Sequence, residues 1–290
     1  MTIALSVKIN DGVVLAADSA STVMGATPQG LSVINVYDNA NKAFNLLKGY
    51  PIGAVTWGAG GIGNASISSL VKDFRKRLKD DPEGLNSYKL NTEQYTVEEV
   101  AIRLRRFIYE ENYVGAFANL PPAQKPPLGF IVAGYGRAAN QNGPHADEYS
   151  VVIDQGNCGP PNQLRRSEDS GIFWAGMGES LHRLILGYGA ALPAVLQQNL
   201  GVPVEQVTAA MEVIKQALGS QLAISAMPLK DAIDLAEFLA DVAVKYSKFS
   251  PGANSVGGPI EIAAISKHEG FKWVTRKFYF DRSLTPNEDN

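Results

Sequence analysis

The chain has 290 residues, 45% hydrophobic and 19% charged, with a formal net charge of −3 at pH 7. That composition fits a globular protein with material for a large core, and the lack of a basic block argues against nucleic acid or an anionic membrane as main partner. Cys158 is the single cysteine, which excludes an intrachain disulfide and a cysteine-based metal site.

His145, His182 and His268 are too scattered for a metal-ligand spacing, so neither metal nor cofactor is expected. No apolar run approaches the ~18 residues of a membrane span. Ser6, Lys8 and Asn10 interrupt the first apolar stretch, unlike a signal peptide, so a cytosolic protein is the default expectation.

In chain order, Ile3–Ile9 alternates, Asn10-Asp11-Gly12 is a turn signal, and Val13–Ala17 is a short apolar run. Together they predict a β-hairpin. Ser19–Gly30 reads as a loop, Leu31–Tyr37 as a strand, and Lys42–Leu47 with Ile52–Trp57 as a strand pair. Ile67, Leu70, Val71, Phe74 and Leu78 then fall on one helical face. A second helix is predicted after a cap at Thr96, with Glu98 and Glu99 in its first turn and an apolar face running from Val100 to Ile108.

The proline-rich stretch 112–127 reads as irregular. Strands are predicted at 128–135, 148–153 and 172–175, helices at about 179–199, 203–218 and 229–247, and strands again at 259–265 and 271–275. Helices arriving in pairs between groups of strands do not build a doubly wound parallel sheet. They predict an α+β fold of two mainly antiparallel sheets stacked face to face with helix layers outside, an αββα sandwich. One domain over 1–282 with a frayed tail at 283–290 is expected.

Gly58-Ala-Gly60-Gly-Ile-Gly63 satisfies the dinucleotide fingerprint G-x-G-x-x-G after a predicted strand. That fingerprint also needs a following apolar strand ending in an acid. The acids at that distance, Asp80 and Asp81, lie in the charged segment RKRLKDDPEG. Nucleotide binding is therefore the remote alternative.

The residues that carry chemistry stand at the start. Removal of Met1 is expected because residue 2 is small, and it would leave Thr2 with a free α-amine beside its own hydroxyl. An α-amine with a pKa of about 7.7–8.0 is partly neutral at physiological pH and can take the hydroxyl proton. Such a site needs a cation to tune the amine, an anion to hold the cation, and backbone N–H groups for an oxyanion. Asp18, Lys42 and Gly58 are candidates for these parts. Each has an ordinary structural reading when taken alone, as strand-end turn, solvated charge and turn glycine.

At these residues TIALSVKINDGVVLAADSAST resembles the mature start of a proteasome β-subunit or bacterial proteasome-like subunit, of the N-terminal-nucleophile hydrolases. The sixteen-residue step from Thr2 to Asp18, the Lys42-Ala43-Phe44 triplet and the hairpin ending at Gly58 match that family's order, as do Met227–Ala236 and Gly257–Ile262. The resemblance implies a four-layer αββα fold and a threonine-type peptidase working through an acyl-enzyme on Thr2. Lys42 would tune the pKa, Asp18 would orient Lys42, and the Gly58 N–H would stabilise the oxyanion.

It also implies that Thr56 shapes the side-chain pocket, that the substrate is a peptide or unfolded protein, and that the chain assembles into a homo-oligomeric ring or stack. A partner ATPase is not readable from the sequence. The family's supporting serine turn corresponds to Gly176-Met177-Gly178, with Ser180 nearby, and its second supporting pair falls beside Asn254 and Ser255. These departures keep two alternatives open: a non-catalytic scaffold subunit, and a transpeptidase or ligase that passes the acyl group to an amine.

Overall fold

Every residue of the first strand is buried, including Ser6 and Lys8 at 0% and 1% exposure. Its polar positions therefore face a second protein layer and not water. The computed structural model describes residues 2–27, 30–82, 84–138, 143–251 and 256–278. The predicted tail at 283–290 lies outside them, as do Met1, Asn254 and Ser255.

The strands are β1 (Ile3–Ile9), β2 (Gly12–Ala17), β3 (Ser21–Thr27), β4 (Gly30–Tyr37), β5 (Ala43–Asn45), β6 (Ile52–Gly58), β7 (Gly61–Ile62), β8 (Ala65–Ser66), β9 (Leu128–Gly134), β10 (Asp147–Asp154), β11 (Asn157–Cys158), β12 (Asn162–Gln163), β13 (Gly171–Gly176), β14 (Glu261–Ser266) and β15 (Gly270–Thr275). One sheet has the order β13-β1-β2-β14-β15 and the other β11-β10-β9-β6-β5. All their pairings are antiparallel.

Period-two alternation assigns each face. Ile3, Leu5, Val7 and Ile9 of β1 join Val14 and Ala16 of β2 under helix α7 (Leu229–Phe249), whose small residues Ala232, Ala236, Ala240 and Ala243 allow close approach. The opposite faces meet between the sheets through Ala4, Val13, Leu15, Val55, Ile131 and Ile265. On the far side, Ile52, Phe130, Val132 and Val151 pack under α1 (Ile67–Asp80) and α2 (Val97–Arg105). The result is the α+β sandwich of helix, sheet, sheet and helix that the element order predicts.

Local chemistry sets the helix starts. The Ser66 hydroxyl accepts the Ser69 N–H at 3.1 Å and the Thr96 hydroxyl accepts the Glu99 N–H at 2.9 Å, each satisfying an orphan donor of a first turn. The five apolar residues predicted for α1 are its buried set. The second helix runs on past its predicted face through a π-helical stretch, Arg106–Tyr113, into α3 (Val114–Ala116), so the irregular stretch begins later than expected.

Three expectations are corrected. Part of the predicted loop at 19–30 is β3, which among the described residues pairs only with β4 in a separate ribbon. Val23, Val33, Ile34 and Tyr37 on it are exposed, so no burial pattern marked the strand. The single helix predicted over 179–199 is broken into α4 (Glu179–Leu181), a π-helical turn ending at left-handed Gly187, and α5 (Leu192–Ala194) with a further π-helical turn. A side chain at Gly187 would collide with the backbone of Leu218, at the end of α6 (Val204–Leu218).

The glycine fingerprint, third, does not open a helix. Gly61–Ile62 pairs back on Ala65–Ser66, α1 begins only at Ile67, and β6 is antiparallel to both its neighbours. A dinucleotide site needs a parallel βαβ unit, so the geometry removes that alternative. Among the described residues, no helix is long and apolar enough to cross a membrane.

Three buried phenols give this core a measurable signature. Burial pushes Tyr88, Tyr95 and Tyr135 up to about 12. Folded pKa values above the unfolded value mean that the stability they carry is intact below pH ~10 and falls as pH rises toward 12. Phenolate absorbance should show these three of the eleven tyrosines silent at pH ~10 until unfolding exposes them, whereas full titration of the folded chain by that pH would contradict the packing.

Candidate active site

The β1–β2 hairpin returns the end of β2 to the start of β1, bringing Asp18 back beside Thr2. The Ile3 N–H donates to Asp18 Oδ1 at 3.1 Å and the Asp18 N–H to the Ile3 carbonyl at 3.2 Å. On its other flank the Thr2 carbonyl accepts the Met177 N–H at 2.8 Å, just past the end of β13. Gly176 must be glycine there, because a Cβ would fall 1.8 Å from the Thr2 carbonyl oxygen and φ is +92°. Residue 2 is thus clamped between two strands and only 3% exposed.

Lys42 stands just ahead of β5, on the facing sheet. Its Nζ donates to Thr2 Oγ1 at 2.6 Å and to Asp18 Oδ1 at 2.7 Å. Burial lowers the Lys42 pKa, opposed by the charge and hydrogen bond of Asp18, while the nearby Lys277 ammonium lowers it further. Asp18 is fully buried and held by more than the lysine. Its Oδ2 accepts the N–H groups of Ala20 at 3.1 Å and Gly257 at 3.0 Å. Three backbone donors and the lysine together fix the orientation of this carboxylate.

Because Lys42 donates into Thr2 Oγ1, the hydroxyl proton must point elsewhere, toward another acceptor. Gly58, Thr56 and Thr2 line one pocket of about 320 Å³, whose walls also include Ser21 and Thr22 at the start of β3. Gly58 has φ +92°, and a side chain there would meet the Pro127 carbonyl. The Thr56 hydroxyl donates to the Gly129 carbonyl at 2.9 Å.

The predicted supporting residues divide. The Met177 side chain packs into the core beneath α7, and its contribution to the site is its backbone N–H. The Gly178 N–H donates to the Gly176 carbonyl at 3.0 Å, and its carbonyl accepts from His182, capping the turn. Ser180 is buried, with a hydroxyl that has no partner among the described residues. Asn254 and Ser255 lie outside the described residues.

Sequence reasoning missed a second ion pair behind the first. Glu261 Oε2 accepts the N–H groups of Lys42 at 3.2 Å and Ala43 at 3.4 Å, and it faces Lys277 Nζ at 3.6 Å. Lys277 in turn donates to Ser19 Oγ at 2.6 Å and to the Ala40 carbonyl. The signal was present, since Glu261 is the lone charge in the apolar strand EIAAIS and shares the face of Ala263 and Ile265 between the sheets.

No protein-family model matches the chain, and no curated protein matches it. Solved structures similar to it include the Gly-1 mutant of Anbu from Hyphomicrobium sp. strain MC1, at 13% identity over 99% of this chain and 92% of that one, with a TM-score of 0.49. Another is Anbu (ancestral beta-subunit) from Yersinia bercovieri, at 16% identity over 95% and 88%, with a TM-score of 0.45. Identity this low transfers no activity.

The site makes a clear stability prediction. Asp18→Ala strands the Lys42 ammonium and three backbone donors, and should destabilise by about 3–5 kcal/mol in denaturant unfolding. Adding Lys42→Met should recover part of that loss, because the orphaned charge goes too. If the double variant is no more stable than Asp18→Ala alone, the pair is not coupled as its geometry requires.

Proposed function

We propose that this protein is an N-terminal threonine amidase that cleaves peptide bonds after removal of Met1. The observation that carries the reading is the 2.6 Å contact between the Lys42 ammonium and Thr2 Oγ1, with Asp18 holding the lysine from behind. A buried ammonium aimed at a hydroxyl oxygen favours the alkoxide, and it disfavours a second positive charge on an adjacent amine.

In this reading the freed α-amine takes the Thr2 hydroxyl proton as Oγ1 attacks the substrate carbonyl carbon. The C=O electron pair moves onto oxygen, and the Gly58 N–H donates to that oxyanion. The amine passes its proton to the leaving nitrogen, the C–N bond breaks, and the acyl group rests on Oγ1 as an ester. Water, deprotonated by the same amine, then attacks the ester and releases the acid with Thr2 restored. Thr56 shapes the neighbouring side-chain pocket. With its hydroxyl spent on Gly129, it offers a substrate no free donor.

Thr2→Ala should abolish hydrolysis of a short fluorogenic peptide while leaving the unfolding midpoint near that of the parent. Turnover undiminished in that variant would remove the reading. Activity should also rise with pH through the titration of the α-amine, which the Lys42 ammonium holds below the ordinary value of about 7.7–8.0, because only the neutral amine accepts the proton. A profile that falls across that titration would assign the base to another group. Intact mass provides a parallel check, since a retained Met1 leaves no α-amine on Thr2 and makes the chain a scaffold.

A further inference from the structure

A second and larger cavity, of about 840 Å³, opens beside the Thr2 pocket, and the two share Asn41 and Ser68 in their walls. Six cations line it, Lys48, Lys72, Arg75, Lys272, Arg276 and Lys277, against only Glu261 and Glu269. Glu261 is already engaged by Lys277 and by the backbone of residues 42 and 43. Among the described residues, none of Lys48, Lys72, Arg75, Lys272 and Arg276 makes an ion pair.

Unpaired cations gathered in one cleft of a chain with a net charge of −3 are a local reversal of sign. Their self-repulsion persists unless something anionic is bound. The mutual effect of Arg75 and Arg276 is of this kind, since burial and the Arg276 charge both pull Arg75 down.

The shape of the cleft selects the type of anion. Its walls include residues of β5 and β15, the outermost strands of the two large sheets among the described residues. Such edges carry unpaired backbone donors and acceptors that an extended chain can meet. The cations come from three separate elements along one cleft: α1, β15 with the residues just past it, and the turn after β5. Phe271 and Trp273, packed edge to face at 5.1 Å, add an apolar strip for alternate side chains.

We infer that this cleft binds an acidic, extended segment of a polypeptide and leads it toward the Thr2 pocket. The delivery of that segment for cleavage rests on the reading of Thr2 as nucleophile; the binding does not.

The test uses the full chain carrying Thr2→Ala, so that binding is read without turnover. A labelled peptide alternating glutamate with valine should bind about tenfold more tightly than its glutamine–valine counterpart, a gain that two or three exposed ion pairs supply. Added salt should erase the difference. Arg75→Gln with Arg276→Gln should remove most of it. So should Lys72→Gln with Lys272→Gln, whose exposed side chains leave the fold untouched.

Equal affinity for the two peptides would overturn the inference. So would a preference unchanged in both double variants, or saturable binding of inorganic triphosphate at the cleft with no binding of the glutamate peptide. Failure of the hydrolysis reading appears elsewhere, as retained turnover of a short neutral peptide in Thr2→Ala.

Discussion

A lysine ammonium buried between two sheets is the constraint around which this protein is arranged. Lys42 has an 8% exposed side chain and no water shell to rely on, so its protons must be taken by protein oxygens. Asp18 Oδ1 and Thr2 Oγ1 take two of them. Removing Asp18 leaves that charge without its counter-ion in a medium that tolerates none, whereas the pair is self-consistent. The oxygen of Thr2 is therefore held in a cation's field by the same contacts that keep the sheets together.

The layer between the sheets is unusual in carrying its charges at its ends. Its middle is built from small and branched apolar residues such as Ala4, Leu15, Val55 and Ala133. At one end stand Lys42, Asp18, Glu261 and Lys277. At the other, about 20 Å away along β1 by strand rise, Lys8 donates to the Arg166 carbonyl at 3.2 Å, and Glu148 pairs with Arg165 at 2.8 Å. Lys8, like Lys42, is pulled below the ordinary lysine value by burial. An apolar middle with paired charges at both ends fixes how the two sheets slide over each other, because a shift of either would separate ions from their partners.

The hairpin turn and the sixteen-residue step bring Asp18 back to residue 2, and both were legible in the sequence because local turn chemistry and spacing decide them. Lys42 was found by motif order, since nothing local says that a lysine ahead of a three-residue strand points inward. Glu261 and Lys277 went unread because the site groups they hold, at residues 42–43 and at 19 and 40, are more than 200 residues away along the chain. The alternation of β1 was visible, but its polar face belongs to the second sheet, which a single strand cannot announce. The β3 strand escaped for the opposite reason, as it packs on no core and shows no period. The helix at 179–199 was overcalled because apolar spacing outweighed Gly187, whose left-handed backbone breaks it.

The pocket beside Thr2 has two walls of unequal firmness. Residues 56–58 end a strand locked between β5 and β9 within a five-strand path, and they open only when the sandwich does. Ser21 and Thr22 begin a ribbon of two strands with much of its apolar surface in water, a construction of marginal stability by itself. Amide protons along Ser21–Thr27 will thus exchange through small, frequent openings while those of β6 wait for global unfolding. The ribbon side of the pocket therefore yields first, and the β6 side holds its shape.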